Sequence, residues 1–403
     1  MTERPLDDIC VIELAEMVSG PMCGKLFAEM GAEVIKIEPP VTGDEARHHP
    51  PYPGDVPDPE KSGLFLYLNT GKKSVTLDVT QARGAEIFKR LLAHADILIE
   101  NHPPGRLKSL GLGFETLHAL NPRLIVTSVT PFGQSGPYRD WKGTDLIEWA
   151  MSLTGYNTPT MVDDGEKENP LRAPGHPAEM MGATTAAAAT MFALYHRERT
   201  GQGQWLDVPC WQSTLNTAKV EMAVYSYRGV PFSRLRSRSG VGLEPLRCRD
   251  GYVYTLWTVD AHFEALKELL GHPEVLESEV FATMQGRAEN DDVLRPAVQA
   301  ELLKYDMDDL VRRGQALGLP IGAVYTVARA AEDEHLKARG AFVEIEHPAA
   351  GRFRYPGPLV RLSEIPASAA RAPLLGEHTD EILSGRLGYG ASQLDDLRGA
   401  GII

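Results

Sequence analysis

The 403-residue sequence lacks most of the features that identify a protein class directly. It has no GxGxxG, GxxxxGK[ST], HExxH or GxSxG motif, so the usual dinucleotide, phosphate, zinc-protease and hydrolase signatures are absent. Its four cysteines, Cys10, Cys23, Cys210 and Cys248, form no CxxC pair. This spacing fits neither a zinc site nor a disulfide framework, and it favours reduced thiols in a cytoplasmic protein.

Long apolar runs and an excess of positive charge are also missing. No stretch approaches the roughly 18 apolar residues of a membrane span, and the N-terminus has no apolar secretory run, so we expect no membrane association. Asp and Glu number 55 against 41 Lys and Arg, which gives a net charge of −14. A chain this acidic is a poor candidate for binding nucleic acid. A local basic pocket for an anionic ligand remains compatible with this charge.

Apolar segments and helix-like segments alternate along the first 130 residues. The predicted helices cover residues 21–30, 81–94, 114–120 and 209–226, and an Ala-rich segment predicts a longer helix over 178–199. The predicted strands are Ile9–Leu14, Glu33–Ile37, Ser74–Val79, Asp96–Glu100, Leu124–Val129 and Leu206–Val208. This alternation predicts an α/β fold with a parallel, doubly wound sheet.

The length of the chain predicts two domains. A segment rich in Arg, Gly and Ser over 228–242 indicates a linker, and a hairpin is expected around Arg249-Asp250-Gly251. We therefore predict a large domain in residues 1–224, a smaller α+β domain in 225–325, and a return to the large domain in 326–403.

The start of the long helix contains the first candidate for chemistry, Glu179, in the string Gly175-His-Pro-Ala-Glu179. If Pro177 is the first helical residue, Glu179 lies in the first turn, where the helix dipole favours its ionised form. An ionised, positioned carboxylate can act as a nucleophile or a general base. Glutamate in a first turn is also a common capping residue, so the position alone does not decide between the two roles.

Other candidates lie near predicted strand ends and helix starts. Asp145 in Lys142-Gly-Thr-Asp145 fits either a polar pair with Lys142 near a ligand or an N-cap. His102 follows a predicted strand, at the edge where open α/β sheets bind ligands. The turn Val18-Ser-Gly-Pro21 places backbone N–H groups at a helix start, which suits a phosphate, a carbonyl or a plain tight turn. His176 could act as an acid or base, although its position favours an ordinary loop residue.

Several strings together resemble one family. They are Ser19-Gly-Pro21, Gly31-Ala-Glu-Val-Ile-Lys-Ile-Glu38, Asn69-Thr-Gly-Lys-Lys-Ser74, Ala95-Asp-Ile-Leu-Ile-Glu-Asn101, Asn121-Pro-Arg123, His196-Arg-Glu-Arg-Thr-Gly-Gln-Gly203 and Pro373-Leu-Leu-Gly-Glu-His-Thr-Asp-Glu381. The set is similar to the class III CoA-transferases, whose relatives include formyl-CoA transferase, carnitine CoA-transferase and α-methylacyl-CoA racemase. The resemblance covers Pro5 to Ile403.

The resemblance implies a Rossmann-like large domain, a small domain and an interlocked homodimer, with coenzyme A bound by the large domain and no metal. In the transferases an Asp, 22 residues before the Gly of a TG motif, attacks the acyl-CoA, and a mixed anhydride and an enzyme–CoA thioester follow. Counting back 22 residues from Gly201 gives Glu179, so this chain has Glu at the matching position. Asp145 matches an acidic position near the active site.

The resemblance also implies a set of CoA contacts. They are Val18, Ser19, Leu77, Asn101, His102 and Lys142. Two family arginines that hold phosphate are replaced by Pro39 and Ser109, and Lys108 is expected to compensate in part. A glycine run of the small domain is missing from the segment Ser237-Arg-Ser-Gly-Val-Gly-Leu243.

These observations predict a CoA-transferase that moves CoA between an acyl-CoA thioester and a small carboxylic acid through an acyl and thioester intermediate on Glu179. Two alternatives stay open. One is an acyl-CoA lyase, hydratase, isomerase or racemase on the same fold, with Glu179 as its base. The other is a CoA-binding homologue without catalytic activity.

Overall fold

The computed structural model describes residues 4–231, 233–235, 244–365 and 370–403. Its strands are β1 Cys10–Leu14, β2 Glu33–Glu38, β3 Lys73–Thr76, β4 Ile97–Glu100, β5 Ile125–Thr130, β6 Trp205–Pro209, β7 Leu246–Arg247, β8 Tyr252–Thr255, β9 Ile321–Ala323, β10 Phe342–His347 and β11 Gly351–Pro356. Its α-helices are α1 Ser19–Glu29, α2 Gly63–Leu68, α3 Ala82–Leu92, α4 Arg106–Ser109, α5 Phe114–Leu120, α6 Asp145–Met151, α7 Pro177–Thr200, α8 Cys210–Leu215, α9 Lys219–Arg228, α10 Asp260–Leu269, α11 Met284–Glu289, α12 Asp291–Leu302, α13 Met307–Ala316, α14 Val327–Glu332, α15 Glu334–Ala338, α16 Thr379–Leu387 and α17 Ala391–Gly399. Part of the predicted linker and the whole segment 237–243 lie outside the described residues.

A six-stranded sheet has the order β3-β2-β1-β4-β5-β6, and every neighbouring pair is parallel. This is the Rossmann order, and it confirms the predicted parallel sheet. Between β1 and β4 the strand order reverses direction. In open α/β sheets, ligands bind beyond the carboxyl ends of the strands at such a reversal.

Alternate residues of β1 pack on opposite faces of the sheet because side chains alternate along a strand. Ile12 packs into a core that also contains Phe88 of α3 and Leu383 of α16. Val11 packs into a second core with Phe27 of α1 and residues of α7. Helices therefore cover both faces, as the doubly wound prediction requires.

Contacts divide the chain into two units. The first comprises residues 1–156, 172–230 and 338–403, and the second comprises residues 157–171 and 231–337. The second unit has a three-stranded antiparallel sheet, β7-β8-β9, with its own core around Trp257, Phe263 and Leu266. Pairing of β7 with β8 confirms the predicted hairpin around Arg249-Asp250-Gly251.

Two helices differ from their predicted bounds. Helix α1 begins at Ser19, two residues before the predicted start, because the Val18 carbonyl already accepts the Met22 N–H at 2.8 Å. Pro21 thus lies inside the first turn, where its missing N–H breaks no helical bond. The single helix predicted over 209–226 is divided into α8 and α9. No helix in the described part of the chain has both the length and the apolar character needed to cross a membrane.

Candidate active site

Glu179 lies in the first turn of α7, two residues after Pro177 at the helix start. The preceding residue, His176, adopts a left-handed conformation with φ of 57°, which turns the chain into the helix. Its Nδ1 lies 2.9 Å from Glu179 Oε2, and the two side chains are 30% and 19% exposed. The hydrogen bond to Glu179 raises the pKa of His176. The Glu179 carboxyl group is therefore paired with a histidine and still reaches the solvent.

Asp145 holds the start of α7 from a different helix. Its Oδ1 accepts hydrogen bonds from the N–H groups of Ala178 at 2.8 Å and of Glu179 at 3.4 Å. The sequence analysis gave two alternatives for Asp145, a polar pair with Lys142 or the N-cap of its own helix. In the structure Thr144 is the N-cap of α6, and Lys142 is exposed. Asp145 thus satisfies backbone donors of α7 that have no partner within the helix.

Glu148, one turn after Asp145 on α6, is a residue that the sequence analysis missed. It is 1% exposed, and among the described residues its Oε2 and the Oδ2 of Asp145 have no hydrogen-bond partner. Burial raises the pKa of Glu148 to about 8, and the charges of Glu179 and Asp145 add to this rise. Glu148 is therefore a protonated carboxylic acid at neutral pH. Only its burial reveals it, because a glutamate in a helix is unremarkable in sequence.

The same side chains offer metal ligands. One ligand atom each from Asp145, His176 and Glu179 lies within 4.8 Å of the other two. Carboxylate oxygens and an imidazole nitrogen suit divalent cations such as Zn²⁺. The group could hold such an ion, and the absence of a metal remains a prediction.

Three of the predicted CoA contacts lie in or beside the loop between β1 and α1, namely Val18, Ser19 and Asn101. The Asn101 side chain accepts the Glu16 N–H at 3.0 Å and donates to the Glu16 carbonyl at 2.7 Å and to Ser19 Oγ at 3.2 Å. Val18 is fully buried. The conformation of this loop, at the point where the strand order reverses, is therefore stabilised by Asn101, Ser19 and Val18.

A cavity of about 180 Å³ lies beside this loop, at the carboxyl ends of the first four strands. It brings together the predicted residues Leu77 and His102. Burial, with a smaller effect of nearby Arg106, lowers the pKa of His102 to about 4, so its imidazole is neutral. Lys108 lines a different cavity, of about 270 Å³, together with Glu100. Neither cavity is lined by Lys142.

A second group of buried charges, which we call the strand cluster, consists of Glu13, Lys36, Asp44 and Lys72. Lys36 Nζ lies 3.0 Å from Glu13 Oε1 and 2.7 Å from Asp44 Oδ2, and it donates to the Ala15 carbonyl at 2.7 Å. Lys72 Nζ lies 2.8 Å from Glu13 Oε2. Two of the family-like strings, around Lys36 and Lys72, thus contribute to a buried ionic group. This group contacts the β1–α1 loop through the Ala15 carbonyl.

Known proteins match nearly the whole length of this chain in sequence. The model of the family described as "CoA-transferase family III" matches residues 6–379. The chain is 34% identical to a succinyl-CoA–D-citramalate CoA-transferase of Chloroflexus aurantiacus, over 99% of this chain and 98% of the relative. It is 31% identical to a formyl-CoA:oxalate CoA-transferase of Afipia carboxidovorans, over 99% and 98%.

A solved structure agrees with these sequence matches. A CAIB/BAIF family protein from Brucella suis superimposes with a TM-score of 0.83 at 29% identity, covering 96% of this chain and 100% of that chain. The match extends over both units of the described fold. The chain therefore belongs to CoA-transferase family III and is a CoA-transferase.

Proposed function

We propose that the enzyme transfers CoA from an acyl-CoA thioester to a small carboxylic acid, with Glu179 as the nucleophile. The observation that carries this proposal is the position of the Glu179 carboxyl group. It is solvent-accessible, lies at the positive end of a 24-residue helix and is hydrogen-bonded to His176. A carboxylate held in this way is suited to form a covalent acyl intermediate.

The reaction divides into four acyl exchanges. The Glu179 carboxylate attacks the thioester carbonyl and expels CoA thiolate, which leaves a mixed anhydride on Glu179. The thiolate attacks the Glu179 carbonyl carbon and releases the donor acid as its carboxylate. The acceptor carboxylate then attacks the Glu179–CoA thioester and expels the thiolate again. The thiolate attacks the acceptor acyl carbon, which frees the new acyl-CoA and the Glu179 carboxylate, and no proton is consumed overall.

Two neighbours position the nucleophile in this scheme. His176 directs one carboxylate oxygen through its 2.9 Å contact and leaves the other oxygen for attack. Asp145 fixes the first turn of α7 through its bonds to the Ala178 and Glu179 N–H groups. Holding reacting groups in one geometry removes much of the entropic part of the barrier.

The names of the relatives support a choice of acceptor. They specify D-citramalate, L-malate and oxalate, which all carry two carboxyl groups. We therefore propose a small dicarboxylic acid as acceptor. A panel of acids with succinyl-CoA as donor tests this choice, and faster transfer to acetate or butyrate than to every dicarboxylate would contradict it.

Covalent trapping tests the nucleophile. The enzyme is incubated with succinyl-CoA and then with hydroxylamine, and intact-mass and peptide analysis locate the adduct. We expect a hydroxamate on Glu179 in the wild type and none in Glu179→Gln. Turnover of an acyl-CoA without any adduct would favour a base role for Glu179, as in a lyase or racemase. Binding without turnover of any thioester would favour a non-catalytic homologue.

We further propose that the enzyme is an interlocked homodimer. Helix α6 buries its acidic residues Asp145 and Glu148 while exposing Leu146 and Ile147, the reverse of an ordinary surface helix. On α7, Phe192 is 75% exposed. A second copy of the chain would cover such apolar groups.

Sedimentation at nanomolar concentration tests the dimer. We expect a species of about 88 kDa, twice the 44.2 kDa chain. A stable and active monomer would contradict the proposal.

The four cysteines are all unpaired and buried, which supports our further proposal of a reducing, cytoplasmic compartment.

A further inference from the structure

The cavity beside the β1–α1 loop has walls of two kinds. Its apolar wall includes Leu77, Val79 and Leu110. Its charged lining residues are Glu16, Asp78 and Arg106, and among the described residues that line it Arg106 alone carries a fixed positive charge. The cavity therefore offers an apolar wall next to a single cation.

Within the described part of the chain, the exposed Arg106 side chain has neither a hydrogen bond nor an ion pair. The carboxylate of Asp78 is, by contrast, already bound. It accepts bonds from the Thr80 N–H at 2.9 Å, from the Thr80 hydroxyl at 2.6 Å and from Gln81 Nε2 at 3.0 Å. Among the described residues, Arg106 is thus paired with neither Asp78 nor Glu16, and its guanidinium donors are available to an anion.

The substrate of a CoA-transferase carries an aromatic base and phosphate groups at the nucleotide end. Arginine binds phosphate through two parallel N–H donors, and an apolar wall accepts the face of a purine. We propose that Arg106 is the residue that binds a phosphate group of the nucleotide end of CoA, with the base on the wall that contains Leu77. This assignment rests on the CoA-transferase function, and it replaces Lys108 as the compensating cation.

The location of the cavity supports the assignment independently of its charge. It lies after β1, β2, β3 and β4, where the strand order reverses, and ligands of open α/β sheets bind at this edge. Lys108 is only two residues from Arg106 but lines the other cavity, beside Glu100. The two cations therefore form a matched pair for an experiment, since both are exposed and both lie on α4.

Titration calorimetry with the full chain compares Arg106→Ala, Lys108→Ala and the wild type. We expect Arg106→Ala to weaken CoA binding by about tenfold to a hundredfold, the scale of a charged hydrogen bond, and Lys108→Ala to weaken it by less than about threefold. Arg106→Lys should fall between Arg106→Ala and the wild type, since it keeps the charge but loses the paired donors. Pantetheine, which has no nucleotide, should bind all variants equally.

Dephospho-CoA identifies the phosphate. If Arg106 binds the 3′-phosphate, the wild type prefers CoA to 3′-dephospho-CoA and Arg106→Ala loses this preference. If it binds the pyrophosphate, Arg106→Ala weakens both ligands equally. Unchanged CoA binding in Arg106→Ala, or a larger loss in Lys108→Ala, would overturn the proposal while leaving the transferase function intact. A wild type that binds no CoA would overturn both.

Discussion

Two groups of ionisable side chains in this chain differ in their charge balance. In the strand cluster, two carboxylates, Glu13 and Asp44, face two ammonium groups, Lys36 and Lys72. At the start of α7, three carboxyl groups, those of Asp145, Glu148 and Glu179, share one histidine, and two buried carboxyl oxygens there have no partner among the described residues.

Lys36 and Glu148, one from each group, respond to burial in opposite ways. In the strand cluster burial disfavours charge, but Asp44 and Glu13 outweigh it and raise the pKa of Lys36, so the lysine stays charged. At the α7 site burial and the neighbouring carboxylates act together on Glu148, and its charge is lost. The balanced group keeps Lys36 charged, whereas the unbalanced group holds a reactive carboxylate and a neutral acid together.

The largest effect is expected from breaking the balance of the strand cluster. Lys36→Met leaves the buried carboxylates of Glu13 and Asp44 short of a cation, so the free energy of unfolding should fall by about 3–5 kcal/mol. Urea denaturation measures it. Lys167→Met, at a lysine that is 84% exposed, serves as the control and should change stability by less than about 0.5 kcal/mol. Equal stability of both variants would remove the distinction between the two groups.

The next largest effect is expected on the catalytic rate, with little change in the stability of the fold. Glu179→Gln keeps the size of the side chain but removes the nucleophile, so kcat should fall at least about a hundredfold while the unfolding curve changes little. Glu198→Gln, on the same helix but 61% exposed, should keep full activity. Full activity of Glu179→Gln would leave this residue only its place in the first turn of α7.

Glu179→Asp sharpens the same result. If the site is shaped for the longer side chain, the shorter one should react poorly. If it is still suited to Asp, activity should survive or rise.

A smaller effect is expected from the pH dependence of stability. Unfolded Glu148 ionises near its ordinary pKa of 4.5, whereas the folded residue keeps its proton up to about pH 8. Between these values the folded state binds more protons, so stability falls as pH rises. Relative to Glu148→Gln, the wild type should lose roughly 1 kcal/mol for each pH unit between about pH 5 and 8.

Denaturation at several pH values measures this slope, and titration of other groups cancels in the difference between the two proteins. Glu115→Gln, at an exposed first-turn glutamate of α5, is the matched control. A flat difference for Glu148→Gln would mean that Glu148 is charged in the fold.

The last prediction is that removal of metal ions has no effect on activity. Removal of divalent cations with EDTA should leave transferase activity unchanged, because the proposed reaction uses only Glu179 and its two organic substrates. Loss of activity that Zn²⁺ restores would assign Asp145, His176 and Glu179 as metal ligands instead.

The parts that the sequence predicted depend on local signals. The long helix was expected over 178–199 and is found at Pro177–Thr200, because proline, an alanine run and Gly201 mark its start, interior and end. The parallel sheet followed from the alternation of short apolar runs with helices.

The features that the sequence analysis did not predict arise from contacts between residues that are far apart in the chain. Asp145 binds the N-terminus of a helix whose N–H groups are 33 and 34 residues away, so no local pattern shows this contact. Burial of Glu148 and the assignment of Arg106 rather than Lys108 to the cavity at the sheet edge likewise depend on packing. The segment 237–243, where the sequence lacks the family's glycine run, lies outside the described residues.

The hydrogen bonds of Asn101 have a consequence for the thermodynamics of ligand binding. Asn101 binds both the N–H and the carbonyl of Glu16, and Asp44 accepts the N–H of Met17, which has a positive φ of 62°. The conformational entropy of this loop is therefore lost when the chain folds, before any ligand arrives. A ligand that binds beside the loop meets an ordered surface, and its affinity is not reduced by the cost of ordering that surface.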